Sequence, residues 1–296
     1  MKPWTDRAGK FSPLKAVVFF GTLVPIALLA VRAATGGFQG APGLAALGPR
    51  PLTEAIHQTG DWAIRFLMLS LAVTPLRRIL QFPKLINVRR MLGLAALFYA
   101  LGHFALYITD MKFDLLRVGS EILLRIYLTI GFVALLGLVV LGMTSTDAAV
   151  RRLGGSWNRL HKIVYPIGIL AALHYFMQSK ADVYQATLIA GFFVLLMTYR
   201  IAHGRGFNLQ SPITLAIIAV LAGLLTAAVE FAWYAIATGV PPQRVLAANL
   251  QFAFAIRPSW WVLATGLAVA LTCAVRALIP AGQGRGRKPK PARGVA

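Results

Sequence analysis

Eight long apolar stretches constrain the fold of this chain more than any other feature of its sequence. A helix needs roughly 20 residues to cross a hydrocarbon core about 30 Å thick. A lone apolar segment crosses lipid as a helix, because a helix satisfies its own backbone hydrogen bonds. The sequence therefore predicts an all-α integral membrane protein, a polytopic bundle of about eight transmembrane helices. The stretches cover residues 16–33, 61–80, 91–109, 122–142, 160–178, 183–201, 212–232 and 258–279.

Composition agrees with a membrane protein and excludes two other classes. Hydrophobic residues make up 58% of the chain and charged residues 13%. Soluble globular proteins are about 45–50% apolar and about 25% charged, so a soluble enzyme and a disordered chain are both excluded. The formal charge of +21 would suggest a nucleic-acid partner in a soluble protein. Here we attribute the charge to loops that flank membrane spans, and no nucleic acid is expected as a partner.

The distribution of basic residues predicts the orientation of the helices. With the N-terminus inside, the inner segments hold 21 of the 30 Lys and Arg residues and the outer segments hold eight. Basic residues accumulate in cytoplasmic loops, so we expect a multi-pass protein with both termini in the cytoplasm. An odd number of spans would remove this asymmetry. The first span is expected to stay uncleaved, although Ala33 and Ala34 resemble a signal cleavage site.

Two histidines inside predicted spans are candidate cofactor ligands. His103 lies seven residues before Asp110, and His174 lies six residues before Lys180. At about 1.5 Å per residue, both imidazoles lie some 10 Å below the same surface. Two imidazoles at one depth on separate helices can bind the two faces of a haem iron. The alternative that each histidine only hydrogen-bonds a neighbouring helix stays open.

A third histidine, His161, suggests a second haem near the opposite surface. His161 precedes His174 by thirteen residues, about 20 Å along a helix. Thirteen residues leave the two side chains about 140° apart around an ideal helix, and Arg90 rather than a histidine stands thirteen residues before His103. One haem is therefore predicted, and a second haem stays open, with His203 or a non-protein group as its further ligand. The single cysteine, Cys273, excludes a C-x-x-C-H haem attachment site.

Two polar residues, Arg65 in the second span and His57 just before it, are weaker candidates for cofactor binding. Arg65 lies one turn inside the outer end of this span and can extend its charged group to the surface. It could instead neutralise a haem propionate, or hold a quinone carbonyl close to His57. Both roles for Arg65 stay open.

Several short motifs together resemble one known family. They are HQTG at 57–60, LAVTPLR at 71–77, RRMLGL at 89–94, TST at 144–146 and RLGGSWNRLH at 152–161, continuing through Tyr165 and His174-Tyr175. In this combination the chain resembles the MsrQ family, the haem-binding membrane subunits of bacterial methionine sulfoxide reductase systems. That family lies within the ferric-reductase-like transmembrane superfamily. The resemblance covers roughly residues 15–203.

The resemblance implies cofactors, partners and a location. It implies a b-type haem, with its iron bound by the histidines that match His103, His161 and His174, and it implies a flavin mononucleotide (FMN). Electrons would come from the quinone pool or from a cytoplasmic flavin reductase. They would pass to a periplasmic, molybdopterin-containing methionine sulfoxide reductase subunit that repairs oxidised proteins. The chain would then be a non-catalytic electron-transfer subunit in the bacterial inner membrane.

The predicted organisation has four segments. Residues 1–15 form a cytoplasmic N-terminus, and residues 16–203 form the ferric-reductase-like haem-binding domain. Residues 204–280 add two helices to the six of the familiar pattern. Residues 281–296 are rich in Gly, Pro and basic side chains, which predicts a disordered cytoplasmic tail in contact with anionic membrane lipids.

Two functions of other classes remain as alternatives. A stand-alone transmembrane ferric or cytochrome b reductase would need a cytoplasmic flavin and nucleotide domain, and no inner segment is long enough to fold into one. A non-haem transporter would need intramembrane carboxylates or broken helices, and Glu230 near a helix end is the main candidate. A haem absorption band in the purified protein would distinguish a haem protein from a transporter.

Overall fold

The computed structural model describes residues 2–5, 8–39, 47–179, 182–252 and 255–278. In these residues the regular structure is helical, apart from one isolated bridge between Thr5 and Phe11. The prediction of an all-α polytopic membrane protein is confirmed. The predicted tail at 281–296 lies outside the described residues, as does Lys180, between the predicted spans 160–178 and 183–201.

The described helices follow one another with short connections. They are α1 (Pro13–Ala34), α2 (Pro51–Ile79), α3 (Arg89–Asp110), α4 (Leu115–Leu124), α5 (Ile126–Met143), α6 (Asp147–Leu153), α7 (Gly155–Leu160), α8 (Val164–Ser179), α9 (Tyr184–Gly204), α10 (Pro212–Ala237), α11 (Pro242–Ala248) and α12 (Pro258–Leu278). The described residues also form 3₁₀ turns at Gly37–Gln39, Pro83–Val88 and His161–Ile163.

Seven segments of the described residues are long and apolar enough to cross a membrane. They are α1, α3 with its preceding 3₁₀ turn, α5, α7 continuing into α8, α9, α10 and α12. Helix α2 has 29 residues but is not among the seven, because Asp61, Arg65, Arg77 and Arg78 lower its hydropathy. It still buries Phe66, among other apolar side chains, in the main core. The prediction of about eight transmembrane helices corresponds to these seven segments and α2.

Four helices form two antiparallel pairs that enclose the candidate site. Helix α2 packs along α3, and α5 packs along α8, while α3 contacts α5 and α2 contacts α8. The Ser70 hydroxyl of α2 donates a hydrogen bond to the carbonyl of Arg89 at the start of α3. Nine basic residues lie around the connections at this end, which we call the basic end. They are Arg77, Arg78, Lys84, Arg89, Arg90, Arg151, Arg152, Arg159 and Lys162.

Helix α1 lies at the edge of the bundle and is attached to it by a tyrosine. Most of the long apolar side chains of α1 are exposed, as expected for a helix that faces lipid. The Tyr99 hydroxyl of α3 accepts a hydrogen bond from the Ile26 amide and donates one to the Thr22 carbonyl, both at 2.9 Å. Ile26 follows Pro25 directly, and Thr22 precedes it by three residues in α1. The hydroxyl therefore bridges the α1 backbone next to its proline.

Helix α4 is a short amphipathic helix between α3 and α5. The Asp114 carboxylate caps its first turn by accepting a hydrogen bond from the Arg117 amide. Val118 is buried, whereas Leu116 is 89% exposed and Leu123 is 81% exposed. A helix with this distribution suits the boundary between lipid and water. The predicted span 122–142 is therefore divided at Arg125, where α4 ends and α5 begins.

The last helices pack against α9 and hold a buried polar cluster. Helices α10 and α12 pack on each other and on α9. Glu230 of α10 is fully buried, where it forms an ion pair with Arg257 and accepts a hydrogen bond from the Asn249 side chain at 3.1 Å. The Ser259 hydroxyl donates to the Asn249 side-chain oxygen at 2.6 Å. The carboxylate considered for transport is thus held in a hydrogen-bonded ion pair.

Candidate cofactor site

A cavity of about 720 Å³ lies among α2, α3, α5 and α8. This volume lies within the range of cofactor pockets, about 300–1,000 Å³. The wall is largely apolar and includes Ala63, Ile64, Leu67, Ala100, Phe104, Phe132, Ala134, Leu135, Leu138 and Ala171. Two small-residue positions, Gly60 and Gly131, also line it. The cavity can therefore hold a large apolar group among the four helices.

His103 of α3 and His174 of α8 both line this cavity, as a close pair. Their ring centroids are 6.3 Å apart and the ring planes meet at 85°. A metal–imidazole bond is about 2 Å long, so one metal ion between two imidazoles puts the ring centroids about 6 Å apart once the ring radii are added. The two histidines that the sequence places at equal depth are brought together at this distance. The pair has the spacing of two axial ligands to one metal ion.

One nitrogen of each imidazole is fixed by a backbone carbonyl. His103 Nδ1 lies 2.8 Å from the Ile56 carbonyl, and His174 Nδ1 lies 2.8 Å from the Tyr127 carbonyl. A carbonyl oxygen only accepts hydrogen bonds, so each Nδ1 carries the proton and donates it. The hydrogen bond to a neighbouring helix that the sequence left as an alternative is therefore present, but it involves only Nδ1. Nε2 keeps a free lone pair. A donated ring N–H is the usual support of a metal-bound histidine.

The cavity reaches the surface at a polar end. Its polar lining there consists of Glu54, His57, Asp61, Gln178, Ser179, Asp182 and Gln185. The candidate His57 lies in this lining and is exposed. The candidate Arg65 is not in the lining. Its guanidinium forms an ion pair with Asp61 at 3.4 Å and lies 5.2 Å from the centre of the Trp62 ring.

His161 lies apart from this cavity, at the basic end of the bundle. Its Nε2 is 3.1 Å from the Thr144 hydroxyl, and its ring stacks on Trp157 with centroids 3.9 Å apart. Arg90, the residue considered opposite it, forms an ion pair with Asp147 at 2.7 Å. His203 is exposed at the end of α9. In the described part of the chain, His161 is thus brought together with Thr144 and Trp157 rather than with a second histidine.

Sequence reasoning did not identify the groups that orient the histidine pair. The Ile56 and Tyr127 carbonyls have no sequence signature, because every residue carries a carbonyl. The glycines one turn after these two residues do show a pattern in the sequence, which could have located the carbonyls. Gly60 precedes His103 by 43 residues, and Gly131 precedes His174 by the same number.

Most of the site lies in the part of the chain that matches a known transmembrane family. The family model for the ferric reductase like transmembrane component matches residues 59–172. This range contains His103 and ends two residues before His174. By this match, the chain is similar to ferric-reductase-like transmembrane components. No solved structure gives a significant match.

Curated relatives narrow this class to one family. A protein of Xanthomonas euvesicatoria pv. vesicatoria is 44% identical over 188 residues, which cover 63% of this chain and 85% of the relative. A protein of Caulobacter vibrioides is 36% identical over 191 residues, which cover 64% of this chain and 87% of the relative. Both are named protein-methionine-sulfoxide reductase heme-binding subunit MsrQ. The chain belongs to the MsrQ family, and the family expected from its motifs is confirmed.

Proposed function

We propose that this chain is a membrane electron-transfer subunit that holds one haem b between His103 and His174. The observation that carries the proposal is the imidazole pair, with centroids 6.3 Å apart and each Nδ1 bonded to a carbonyl. A cavity of about 720 Å³ around the pair provides the space. The relatives named as haem-binding subunits of methionine sulfoxide reductase support the assignment.

The residues present suit this cofactor, and each has a definable role. The haem would supply one-electron oxidation and reduction, which no side chain of the site supplies. His103 and His174 would bind the iron through Nε2, and the Ile56 and Tyr127 carbonyls hold both rings in orientation. Apolar side chains such as Phe104 and Phe132 line the cavity and would exclude water from it. Burial and ligand identity together tune the potential of such a site.

We also propose the direction in which electrons pass. They enter from the quinone pool or a cytoplasmic flavin reductase and leave to a periplasmic, molybdopterin-containing methionine sulfoxide reductase subunit. The names of the relatives support a methionine sulfoxide reductase as the partner. Its periplasmic location, its molybdopterin and the electron donor rest on the family resemblance. The subunit itself would be non-catalytic, since it conducts electrons to the site where the partner reduces methionine sulfoxide.

The proposed location is the bacterial inner membrane, with both termini in the cytoplasm and the basic end facing the cytoplasm. The histidine pair would then lie toward the periplasm. Reporter fusions after Arg205 and after the last residue should both report a cytoplasmic position. A periplasmic signal from either fusion would contradict this topology.

Two further cofactor assignments rest on the family resemblance. We propose FMN as a second cofactor, and we keep His161 as a candidate ligand for a second haem. The basic residues around His161, including Arg89 and Lys162, would favour a phosphate-bearing or carboxylate-bearing group electrostatically. Arg65 and His57 are proposed to contact a haem propionate or a quinone near the polar end of the cavity.

Haem titration of the purified full-length chain tests the central proposal. We expect a Soret band, a low-spin spectrum of a haem with two nitrogen ligands, and one haem per chain at this site. Two haems per chain would establish the second site. If the folded protein shows no Soret band after reconstitution with haem, the chain is not a haem protein and the proposed function fails.

A stand-alone ferric reductase is the second candidate, because the matched family model describes a ferric reductase like transmembrane component. Both candidates use a haem, so haem content does not separate them. The acceptor does: the present proposal requires a protein partner, whereas a ferric reductase reduces ferric chelates directly.

A further inference from the structure

The two candidate iron ligands are held by two copies of the same local arrangement. In the α2–α3 pair, the Ile56 carbonyl, Gly60 and His103 come together. In the α5–α8 pair, the corresponding residues are Tyr127, Gly131 and His174. Each residue of the second set follows its counterpart by 71 positions. The hydrogen bond from Nδ1 to the carbonyl is 2.8 Å in both sets.

Each glycine lies where the imidazole approaches the helix backbone. One helical turn separates residue i from residue i+4, so Gly60 stacks above the Ile56 carbonyl and Gly131 above the Tyr127 carbonyl. A Cβ atom on Gly60 would lie 2.9 Å from His103 Nδ1, and a Cβ atom on Gly131 would lie 2.7 Å from His174 Nδ1. Ordinary contacts of a Cβ atom begin at 3.4 Å. Any other residue at either position would push the ring away from its carbonyl.

Other glycines of the same helices do not have this relation to a histidine. Gly102 is the immediate neighbour of His103, yet a Cβ atom there would have no atom within 4 Å. Gly137 in α5 is as crowded as Gly131, because a Cβ atom there would lie 2.7 Å from Ile167 Cδ1. That neighbour is the far end of a flexible side chain, which can move. The rings beside Gly60 and Gly131 are instead fixed by their hydrogen bonds.

We propose that Gly60 and Gly131 are positioning residues for the two haem ligands. Without a Cβ atom, each lets an imidazole reach a helix carbonyl, which sets the Nδ1–H tautomer and the plane of the ring. The proposal rests on the proposed function of His103 and His174. A carbonyl acceptor at Nδ1 increases the basicity of Nε2 and so stabilises the oxidised iron. Loss of that acceptor should weaken haem binding and raise the reduction potential.

The test compares Gly60→Ala and Gly131→Ala with the wild-type chain, purified in full and loaded with haem. We expect each variant to bind haem about 10–100-fold more weakly, as for other losses of a ligand's supporting hydrogen bond. The reduction potential should rise. The electron paramagnetic resonance spectrum of the oxidised haem should change as well, since it reports the angle between the ring planes, 85° in this structure.

Gly137→Ala is the matched control, because it adds the same methyl group to the same helix pair without crowding a histidine. It should keep the wild-type resonance spectrum and potential, whatever it does to stability. Gly102→Ala should also behave as wild type. The proposal is overturned if Gly60→Ala and Gly131→Ala keep the wild-type spectrum and potential, or if Gly137→Ala changes them equally.

Folding of the chain without haem supplies a second readout. Gly60→Ala should lower the thermal unfolding temperature only while the His103 ring is present, so Gly60→Ala combined with His103→Ala should unfold like His103→Ala alone. If Gly60→Ala does not fold, the double variant should fold. A double variant that also fails to fold would show that Gly60 serves packing alone. A wild-type chain without a Soret band would instead refute the proposed function, so the two failures are distinguishable.

Discussion

Replacing His103 or His174 by alanine is expected to abolish the low-spin spectrum of the haem-loaded chain. Each substitution removes one imidazole of the pair, whose ring centroids are 6.3 Å apart and which we propose as the two nitrogen ligands. The remaining histidine would leave the iron with an open position, so the Soret band should shift and most of the haem should be lost during purification. Absorption spectra of the two single variants, oxidised and reduced, measure this.

His161→Ala and His57→Ala are the controls for these substitutions. His161 lies at the basic end against Thr144 and Trp157, so its replacement should cause partial haem loss at most and leave the low-spin signature in place. His57 is exposed at the polar end of the cavity, and its replacement should also keep the low-spin band. Unchanged spectra in both His103→Ala and His174→Ala would remove these two residues as ligands.

The second large effect concerns the acceptor of the electrons. The reduced, haem-loaded chain should be stable alone and should reoxidise rapidly when the oxidised periplasmic reductase and methionine sulfoxide are added together. The reason is that the histidine pair lies within about 10 Å of one surface, at 1.5 Å per residue, where a docked partner could receive the electron. Stopped-flow absorption at the Soret band follows the reaction.

Two mixtures serve as controls for the electron acceptor. Methionine sulfoxide without the reductase should leave the reduced haem unchanged, because the proposed function places its reduction in the partner. Ferric chelates without the reductase should react slowly. Reoxidation that is fast with ferric chelates and indifferent to the reductase would establish the ferric reductase instead.

Most span boundaries could be predicted from the sequence to within about five residues, but the start of α2 and the division between α4 and α5 could not. Helix α2 begins at Pro51, whereas the predicted span begins near residue 61. The first turns of the helix are polar, so the hydropathy pattern omits them. The stretch 122–142 begins inside α4, because the apolar face of an amphipathic helix raises local hydropathy as a span does. Only tertiary packing, which buries Val118 and exposes Leu116, distinguishes these cases.

The depth of His103 and His174 in the bundle could be predicted from the sequence. The direction in which the His161 side chain leaves its helix could not. His103 and His174 lie in regular helices, so counting residues to the helix ends gives their level. The separation of 140° between His161 and His174 assumes one continuous helix, but His161–Ile163 is a 3₁₀ turn before α8. The carbonyls that orient the pair become visible only when the helices are packed.

Arg90, which forms an ion pair with Asp147, stands where a second histidine pair would need a histidine, and this affects how far an electron must tunnel. The offset of 71 positions that relates the two ligand sets also relates position 90 to His161, and Arg90 is engaged with Asp147. In the described residues, the offset of 71 positions therefore brings two histidines together at one depth in the bundle rather than at two. About 20 Å of protein separates the levels of His161 and His174. Because tunnelling rates fall exponentially with distance, an electron entering at the basic end would reach the histidine pair faster through an intermediate carrier, and the proposed flavin or second haem would supply one.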